Sequence, residues 1–175
     1  MNKIIVLLLV SVLFASGCVS NTGQSTASGE NNVKENTGIN VGNIAKDFSL
    51  VDIDKNVVKL SDYRGKYVLF ASIATWCTPC RIEAENVKRV QDNLHPPLVV
   101  MQIDVDPRET KDDLIKFRQE FGKEDWIMGF DDGTISSLYN IRTLDTTIIV
   151  DPEGKIVYRD EGFPIDTKTL EDLIV

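Results

Sequence analysis

Histidine, cysteine and long apolar runs are all scarce in this sequence. The 175 residues include one histidine, His95, and three cysteines, Cys18, Cys77 and Cys80. A structural zinc site normally needs four nitrogen or sulfur ligands, so this small number of histidines and cysteines argues against a complete zinc site. Half of a zinc site remains as an alternative. We therefore expect no metal and no cofactor beyond the cysteines themselves.

Basic residues are in deficit as well. The chain carries 27 acidic against 19 basic residues, a formal net charge of −8. Nucleic-acid binding needs a basic surface that neutralises phosphates, so the composition argues against a nucleic-acid partner. The hydrophobic fraction of 42% is that of an ordinary globular protein.

The N-terminus has the features of an export signal. A basic start is followed by the apolar run 4–15, which is short against the about 20 residues of a membrane-spanning helix. We interpret 1–17 as a signal peptide. Ala15-Ser16-Gly17-Cys18 resembles a lipobox, although Ala15 replaces the commoner leucine, and this predicts lipidation of Cys18. An ordinary cleaved signal and an uncleaved anchor are the alternatives, and all three place the remaining chain outside the cytoplasm, the lipid-anchored form at the cell membrane.

The next segment, 18–40, is rich in Ser, Thr, Asn and Gly. Such a composition buries too little apolar surface to offset chain entropy, so we expect a flexible linker behind the lipidated cysteine. Residues 41–175 then form one folded domain.

The folded part alternates between strand-like and helix-like patterns. Strand, helix, strand, helix and a final hairpin predict an α/β fold with a central mixed sheet flanked by helices and an extra N-terminal β-hairpin. The predicted strands are 47–52, 57–60, 67–74, 98–105, 126–130, 146–150 and 155–159; the predicted helices are 80–94, 110–121, 134–140 and 166–174.

Cys77 and Cys80 lie where an apolar strand ends and a helix begins. The positive end of a helix dipole stabilises a thiolate, and the thiolate is the attacking species in disulfide exchange. Pro79 suits the first helical turn. Cys80, three residues on, would attack the mixed disulfide formed at Cys77. The pattern predicts a redox-active disulfide, with an inert structural disulfide as the alternative.

Glu83 and Trp76 are further site candidates. Glu83 shares an apolar helical stripe with Cys80, and burial there would suit it to proton transfer. Its alternative is an exposed first-turn position near the helix dipole. Trp76 either covers one side of the disulfide or fills the core.

Four sequence runs carry a resemblance to the TlpA-like thioredoxin family, the extracytoplasmic branch related to the alkyl hydroperoxide reductases (AhpC/TSA). The resemblance implies a thioredoxin-like fold, a cysteine pair that cycles between dithiol and disulfide, and a carboxylate at Glu83. Its members reduce apocytochrome or other exported cysteines, which implies cysteine-containing exported proteins and a recycling redox partner. A monomer is expected. The runs are Ala45-x-Asp47-Phe48-Ser49-Leu50, Leu60-Ser61-Asp62-Tyr63-Arg64-Gly65-Lys66, Ala74-Thr75-Trp76-Cys77-Thr78-Pro79-Cys80-Arg81-x-Glu83, and Thr146-Thr147-Ile148-Ile149-Val150-Asp151-x-x-Gly154-Lys155-Ile156-Val157.

Two positions depart from that family. Glu85 replaces a helix proline, so a kink is not expected. Asp145 stands where the family has a cis-proline beside the cysteine pair, and a trans bond is expected there because a cis bond to a non-proline residue costs about 3–4 kcal/mol. Trp76, Pro79 and Asp145 are expected at the substrate groove. We hypothesise that Asp145 disfavours the thiolate and biases the protein toward donating electrons; its alternative is to cap a turn.

Three other functions compete. A peroxiredoxin-like peroxidase would use Thr-x-x-Cys, but Ala74 and Cys77 occupy the corresponding positions. A copper-binding SCO-like chaperone would need a distal histidine. Asp145 could take its place only as a hard oxygen ligand, which copper(I) disfavours. A thioredoxin-like binding domain without activity would not need the intact cysteine pair.

Overall fold

The structure is a computed structural model and describes residues 36–174. The expected signal peptide 1–17, the lipidation site Cys18 and the linker up to residue 35 lie outside the described residues. Within the described part of the chain, no helix has both the length and the apolar character to cross a membrane.

Four short strands come first. β1 (Thr37–Gly38) pairs in parallel with β2 (Ile44–Ala45), and β3 (Ser49–Val51) pairs antiparallel with β4 (Val57–Lys59). The β3–β4 pair is the predicted N-terminal hairpin.

β1 lies inside the segment 18–40 that the sequence assigns to the linker. The Ile44 N–H donates to the Asn36 carbonyl at 3.1 Å, and the Arg159 guanidinium donates to the Ile39 carbonyl at 3.4 Å. Such backbone pairing needs no apolar side chains, which is why composition did not reveal it. Strand pairing therefore includes residues before position 41.

A five-stranded mixed sheet follows, with the spatial order β7-β6-β5-β8-β9. β5, β6 and β7 run parallel, whereas β8 is antiparallel to both of its neighbours. β5 lies in the middle and is buried along nearly its whole length, as its apolar run predicts. The strands are β5 (Tyr67–Ile73), β6 (Leu98–Asp104), β7 (Ile127–Phe130), β8 (Thr146–Val150) and β9 (Ile156–Glu161).

Within the described residues, four α-helices cover the sheet. Apolar residues of α1, α2 and α4 form one core with one face of the sheet, and those of α3 form a second core with the other face and the N-terminal strands. The helices are α1 (Thr78–Gln91), α2 (Lys111–Glu120), α3 (Thr134–Tyr139) and α4 (Thr167–Leu173). This architecture confirms the predicted fold class.

Helix α1 is shorter than predicted at its C-terminus. It ends at Gln91 with Asp92 as the C-cap, and the Asn93 N–H bonds the Val90 carbonyl at 2.9 Å in a tight final turn. Leu94 is nevertheless buried with the core. The helix continues unbroken past the exposed Glu85, where the resembling family has a proline.

Candidate active site

Cys77 is the N-cap residue of α1. β5 ends at Ile73, four residues earlier, and Pro79 lies in the first turn of the helix. The Cys80 N–H donates a hydrogen bond to Cys77 Sγ at 3.2 Å. The sulfur therefore lies among the free N–H groups that begin a helix, as the sequence predicts.

Cys77 and Cys80 form a disulfide with a Cα–Cα distance of 5.3 Å. Cys77 is 4% exposed and Cys80 1%. Both cysteines are therefore buried in the disulfide form, and Cys77 is the slightly more exposed of the two.

Thr75 is hydrogen-bonded to Glu109, which lies in the loop after β6. Both carboxylate oxygens of Glu109 accept the Thr75 N–H, at 3.0 and 2.9 Å, and one also accepts the Thr75 hydroxyl at 2.7 Å. The Arg81 Nε donates to the Thr75 carbonyl at 2.8 Å. These contacts fix the turn that leads into Cys77.

Trp76 is exposed, with 55% of its surface accessible, so the core-filling interpretation is wrong. Its indole N–H donates to Asp106 Oδ2 at 2.8 Å. Asp106 also accepts from the Arg108 guanidinium, and these hydrogen bonds from Arg108 and Trp76 lower the pKa of the Asp106 carboxyl. An ionised acceptor thus anchors a solvent-facing indole directly before the cysteine pair.

Asp104, Asp106 and Glu109 were not recognised as site residues from the sequence. Asp104 is buried at the end of β6, and burial, followed by the neighbouring Glu109 carboxyl, raises its pKa above the ordinary value. The only available signal was topological, because parallel β5 and β6 end at the same edge of the sheet. That rule places the loop after β6 beside the loop that carries the cysteines.

Glu83 is buried, with 1% of its surface exposed, so the alternative of an exposed first-turn position is wrong. Its Oε2 accepts the Thr147 hydroxyl at 2.6 Å and the Ile165 N–H at 3.2 Å. Its Oε1 is buried without a hydrogen-bond partner. Burial first, and then the charge of Asp145, raise the pKa of Glu83 to about 8.

Asp145 occupies a strained backbone position directly before β8, with φ of 59°. Within residues 36–174 the cis peptide bond is His95–Pro96, so the bond before Asp145 is trans, as expected. The side chain is 1% exposed and both carboxylate oxygens lack a partner. The turn-capping alternative is therefore wrong. Burial, followed by the charge of Asp160, raises the pKa of Asp145 to about 6.

The described residues contain no group of three or more His, Cys, Asp or Glu side chains placed to hold a metal ion. Acidic residues do occur on both sides of the cysteines along the chain: the loop 104–109 contacts Thr75 and Trp76, directly before Cys77, and Glu83 follows Cys80 by three residues on α1. These acidic groups differ in state, because the pKa of Asp106 is lowered and that of Glu83 is raised.

Comparison with known proteins agrees with this geometry. A family model described as the AhpC/TSA family matches residues 41–159. The chain is 32% identical over 139 residues to the thiol-disulfide oxidoreductase ResA of Geobacillus kaustophilus, covering 79% of this chain and 77% of the relative. It is 30% identical over 123 residues to the thioredoxin-like protein YneN of Bacillus subtilis, covering 70% and 72%.

Solved structures show the same similarity. The thioredoxin domain of a thiol-disulfide oxidoreductase from Bacteroides vulgatus superposes with a TM-score of 0.67 at 26% identity, covering 79% of this chain and 100% of that chain. A thioredoxin-like protein from Aeropyrum pernix gives a TM-score of 0.65 at 26% identity, covering 73% and 87%. The thioredoxin-like fold predicted from the sequence is confirmed.

Proposed function

The chain belongs to the AhpC/TSA family and is a thioredoxin-like thiol–disulfide oxidoreductase, and from this premise we propose that it works tethered to the cell membrane, outside the cytoplasm, and exchanges disulfides with cysteine-containing exported proteins. The observation that carries the proposed mechanism is the Cys77–Cys80 disulfide at the start of α1, with the Cys80 N–H directed at Cys77 Sγ.

Cys77 is the attacking and attacked sulfur in this mechanism. In the reduced protein its thiolate attacks a partner disulfide, and a Cys77–partner disulfide forms while the partner's other sulfur leaves as a thiolate. Cys80 then attacks Cys77 Sγ, which closes the Cys77–Cys80 disulfide and releases the second partner thiolate. The helix N-terminus supports the first step, since its N–H groups stabilise the anion on Cys77.

Glu83 serves Cys80 as the proton-transfer group. The two residues are three apart on α1 and are therefore neighbours on one helix face. Burial makes Glu83 a proton carrier near neutral pH, because its pKa is raised to about 8. Its unpartnered Oε1 supports this role, because a proton there displaces no existing hydrogen bond.

Trp76 and Pro79 contribute the surface on which the partner docks, whereas Asp145 is 1% exposed and acts from beneath it by its charge. The exposed indole of Trp76 offers an apolar contact beside Cys77. Asp145 further disfavours thiolate charge on the pair through its own negative charge, which favours the disulfide and biases the protein toward donating electrons. Asp145→Asn tolerates the same positive φ, and we expect it to give a less negative reduction potential; an unchanged potential contradicts the bias.

The membrane tether rests on Cys18. The segment behind the expected lipid is long enough to hold the domain clear of a bilayer surface. Mass spectrometry of the mature protein is expected to find a lipidated N-terminal Cys18. An unmodified Met1, or a start beyond residue 18, contradicts lipid anchoring and leaves the exchange chemistry untouched.

Partner trapping tests the exchange function. In Cys80→Ser the mixed disulfide on Cys77 cannot resolve, so exported cysteine proteins are expected to accumulate in covalent complexes that dithiothreitol releases. Cys77→Ser is the matched control and is expected to trap none. Equal trapping by the two variants, or none by either, contradicts the proposal.

Peroxide reduction is the second activity to measure, because the family name covers peroxidases. Ala74, three residues before Cys77, is fully buried and brings no hydroxyl to the site. We expect negligible peroxide consumption with a thiol donor, and consumption as fast as disulfide exchange would favour the peroxidase.

A further inference from the structure

A third acidic side chain lies beside Glu83 and Asp145. Asp160, on β9, has a buried Oδ1 with no hydrogen-bond partner. Together these three residues form what we name the carboxylate cluster. Four of its six oxygens are buried and unpaired: Glu83 Oε1, both oxygens of Asp145, and Asp160 Oδ1.

The strand register brings Asp160 to Glu83. Thr147 on β8 is directly opposite Asp160 on β9, and opposite residues of an antiparallel pair project to the same face of the sheet. Thr147 donates its hydroxyl to Glu83 Oε2 at 2.6 Å. Thr147 therefore contacts Glu83 and shares its face of the sheet with Asp160.

Asp145 joins the cluster through the backbone. Its carbonyl accepts the Gly162 N–H at 2.9 Å, two residues beyond Asp160. The loop that continues from Gly162 reaches Glu83, because the Ile165 N–H donates to Glu83 Oε2. One connected segment of the chain, 160–165, thus ties Asp145 to Glu83.

The cluster lacks positive charge. Within residues 36–174 none of its members forms an ion pair with Lys or Arg. The nearby titratable groups are Tyr158, whose pKa is raised to about 12 by burial and by the surrounding carboxylates, and Asp166 at the start of α4. Ionising all three carboxyl groups without a counter-ion costs free energy, so the cluster favours a state that retains one proton.

We propose that Asp145 and Asp160 are positioning residues that act through Glu83: their charges keep a proton on Glu83 while Cys77 and Cys80 are joined, so that opening the disulfide delivers that proton to Cys80. This inference rests on the proposed exchange function and on the role of Glu83 in it. Among the described residues, no hydrogen bond joins Asp160 to Cys77 or Cys80, so in this proposal Asp160 acts only by its charge.

The step balances as follows. A partner thiolate attacks Cys77 Sγ, the Cys77–partner bond forms, and the Cys77–Cys80 bond breaks with its electron pair on Cys80 Sγ. The Glu83 carboxyl proton moves to that sulfur, which leaves Glu83 as a carboxylate. In the reverse direction Cys80 returns the proton to Glu83 before it attacks the mixed disulfide.

The test is a carbon-13 NMR titration of the Glu83 carboxyl in the oxidised protein, where no thiol titrates. The same samples supply a pH profile of disulfide reduction by dithiothreitol, corrected for the dithiothreitol thiolate. Asp160→Asn removes one charge and keeps the side-chain size. Glu161→Gln is the matched control, since it removes a charge from the adjacent residue, whose carboxylate is paired with Arg159.

We expect Asp160→Asn to lower the midpoint of the Glu83 titration by roughly half a unit to one unit, and to move the reduction profile the same way. Asp145→Asn is expected to act in the same direction, and Glu161→Gln to leave both unchanged. If the midpoint of the Glu83 titration is unchanged in both Asp160→Asn and Asp145→Asn, the inference is overturned. If Asp160→Asn fails to fold, Asp145→Asn decides alone. Failure of the exchange function would instead appear as wild-type protein that forms no mixed disulfide.

Discussion

Glu83 is an acid held inside the protein at a place where burial opposes its ionisation. Its two hydrogen bonds, from Thr147 and Ile165, favour the charged form, and yet its pKa is raised to about 8 because burial outweighs them. Asp145 is buried as well, and neither of its carboxylate oxygens has a hydrogen-bond partner. At the residue scale, Glu83 is therefore the carboxyl group that favours keeping its proton near neutral pH.

The proton kept on Glu83 predicts a pH-dependent stability. Between the ordinary value of 4.5 and about 8, folded Glu83 holds a proton that the unfolded chain has released. The free energy of unfolding should therefore fall as pH rises through this window, by up to about 1.4 kcal/mol per pH unit for one such group. Urea unfolding of the oxidised protein from pH 5 to 8 measures it. Glu83→Gln should reduce the slope, and an unchanged slope would count against a buried neutral Glu83.

Trp76 predicts a separation of activity from stability. Trp76→Phe removes the hydrogen bond to Asp106 at an exposed site, so the free energy of unfolding should change by no more than about 1 kcal/mol. Exchange with protein partners should slow several-fold more than exchange with dithiothreitol, because only large partners contact the indole.

Trp126→Phe is the matched control for Trp76→Phe. Trp126 is 1% exposed and donates to Gln91 Oε1 at 2.7 Å, so its replacement should lower stability and leave the preference between partners unchanged. Parallel urea unfolding and exchange assays compare the two variants. Equal slowing with dithiothreitol and with protein partners in Trp76→Phe would contradict a docking role.

At the scale of elements, the N-terminal hairpin is joined to the far edge of the central sheet. The Ile53 N–H donates to the Met128 carbonyl at 2.7 Å, and Asp52 forms a bridge with Gly129. A Cβ added at Gly129 would lie 2.5 Å from the Val51 carbonyl oxygen, so this close approach depends on glycine.

Gly129→Ala tests that junction. Overpacking at such a contact costs about 1–3 kcal/mol, so the midpoint of urea unfolding should fall. The dithiothreitol exchange rate of the folded variant should match the wild type, because the hairpin junction lies on the edge strand β7, whereas Cys77 follows the central strand β5. Stability equal to the wild type would show that the hairpin moves away without cost.

At the scale of the whole molecule, most of the fold was predictable from short sequence patterns. The apolar run of β5 and the helix start at Cys77 are encoded in short stretches, and both were predictable. The burial of Glu83 was predictable as one of two alternatives, because the helical stripe placed it beside Cys80. Strand β1 was not, since its pairing uses backbone groups alone.

The acidic groups around the disulfide were less predictable. Asp160 lies in a polar stretch of β9, and its sequence is typical of an exposed edge strand. Its pairing opposite Thr147 shows that it faces the same side of the sheet as Glu83. Asp106 lies in an acidic loop that resembles any solvated turn. The roles of Asp160 and Asp106 depend on contacts between residues that are far apart in sequence, and a local sequence pattern cannot predict such contacts.

The most direct measurement of the central claim is site-resolved alkylation of the reduced protein with iodoacetamide at pH 7, followed by mass spectrometry. In the proposed mechanism the helix start makes Cys77 the reactive sulfur, so it should be modified roughly tenfold or more faster than Cys80. Faster modification of Cys80, or equal slow modification of both, would contradict the claim that Cys77 is the exchanging thiolate.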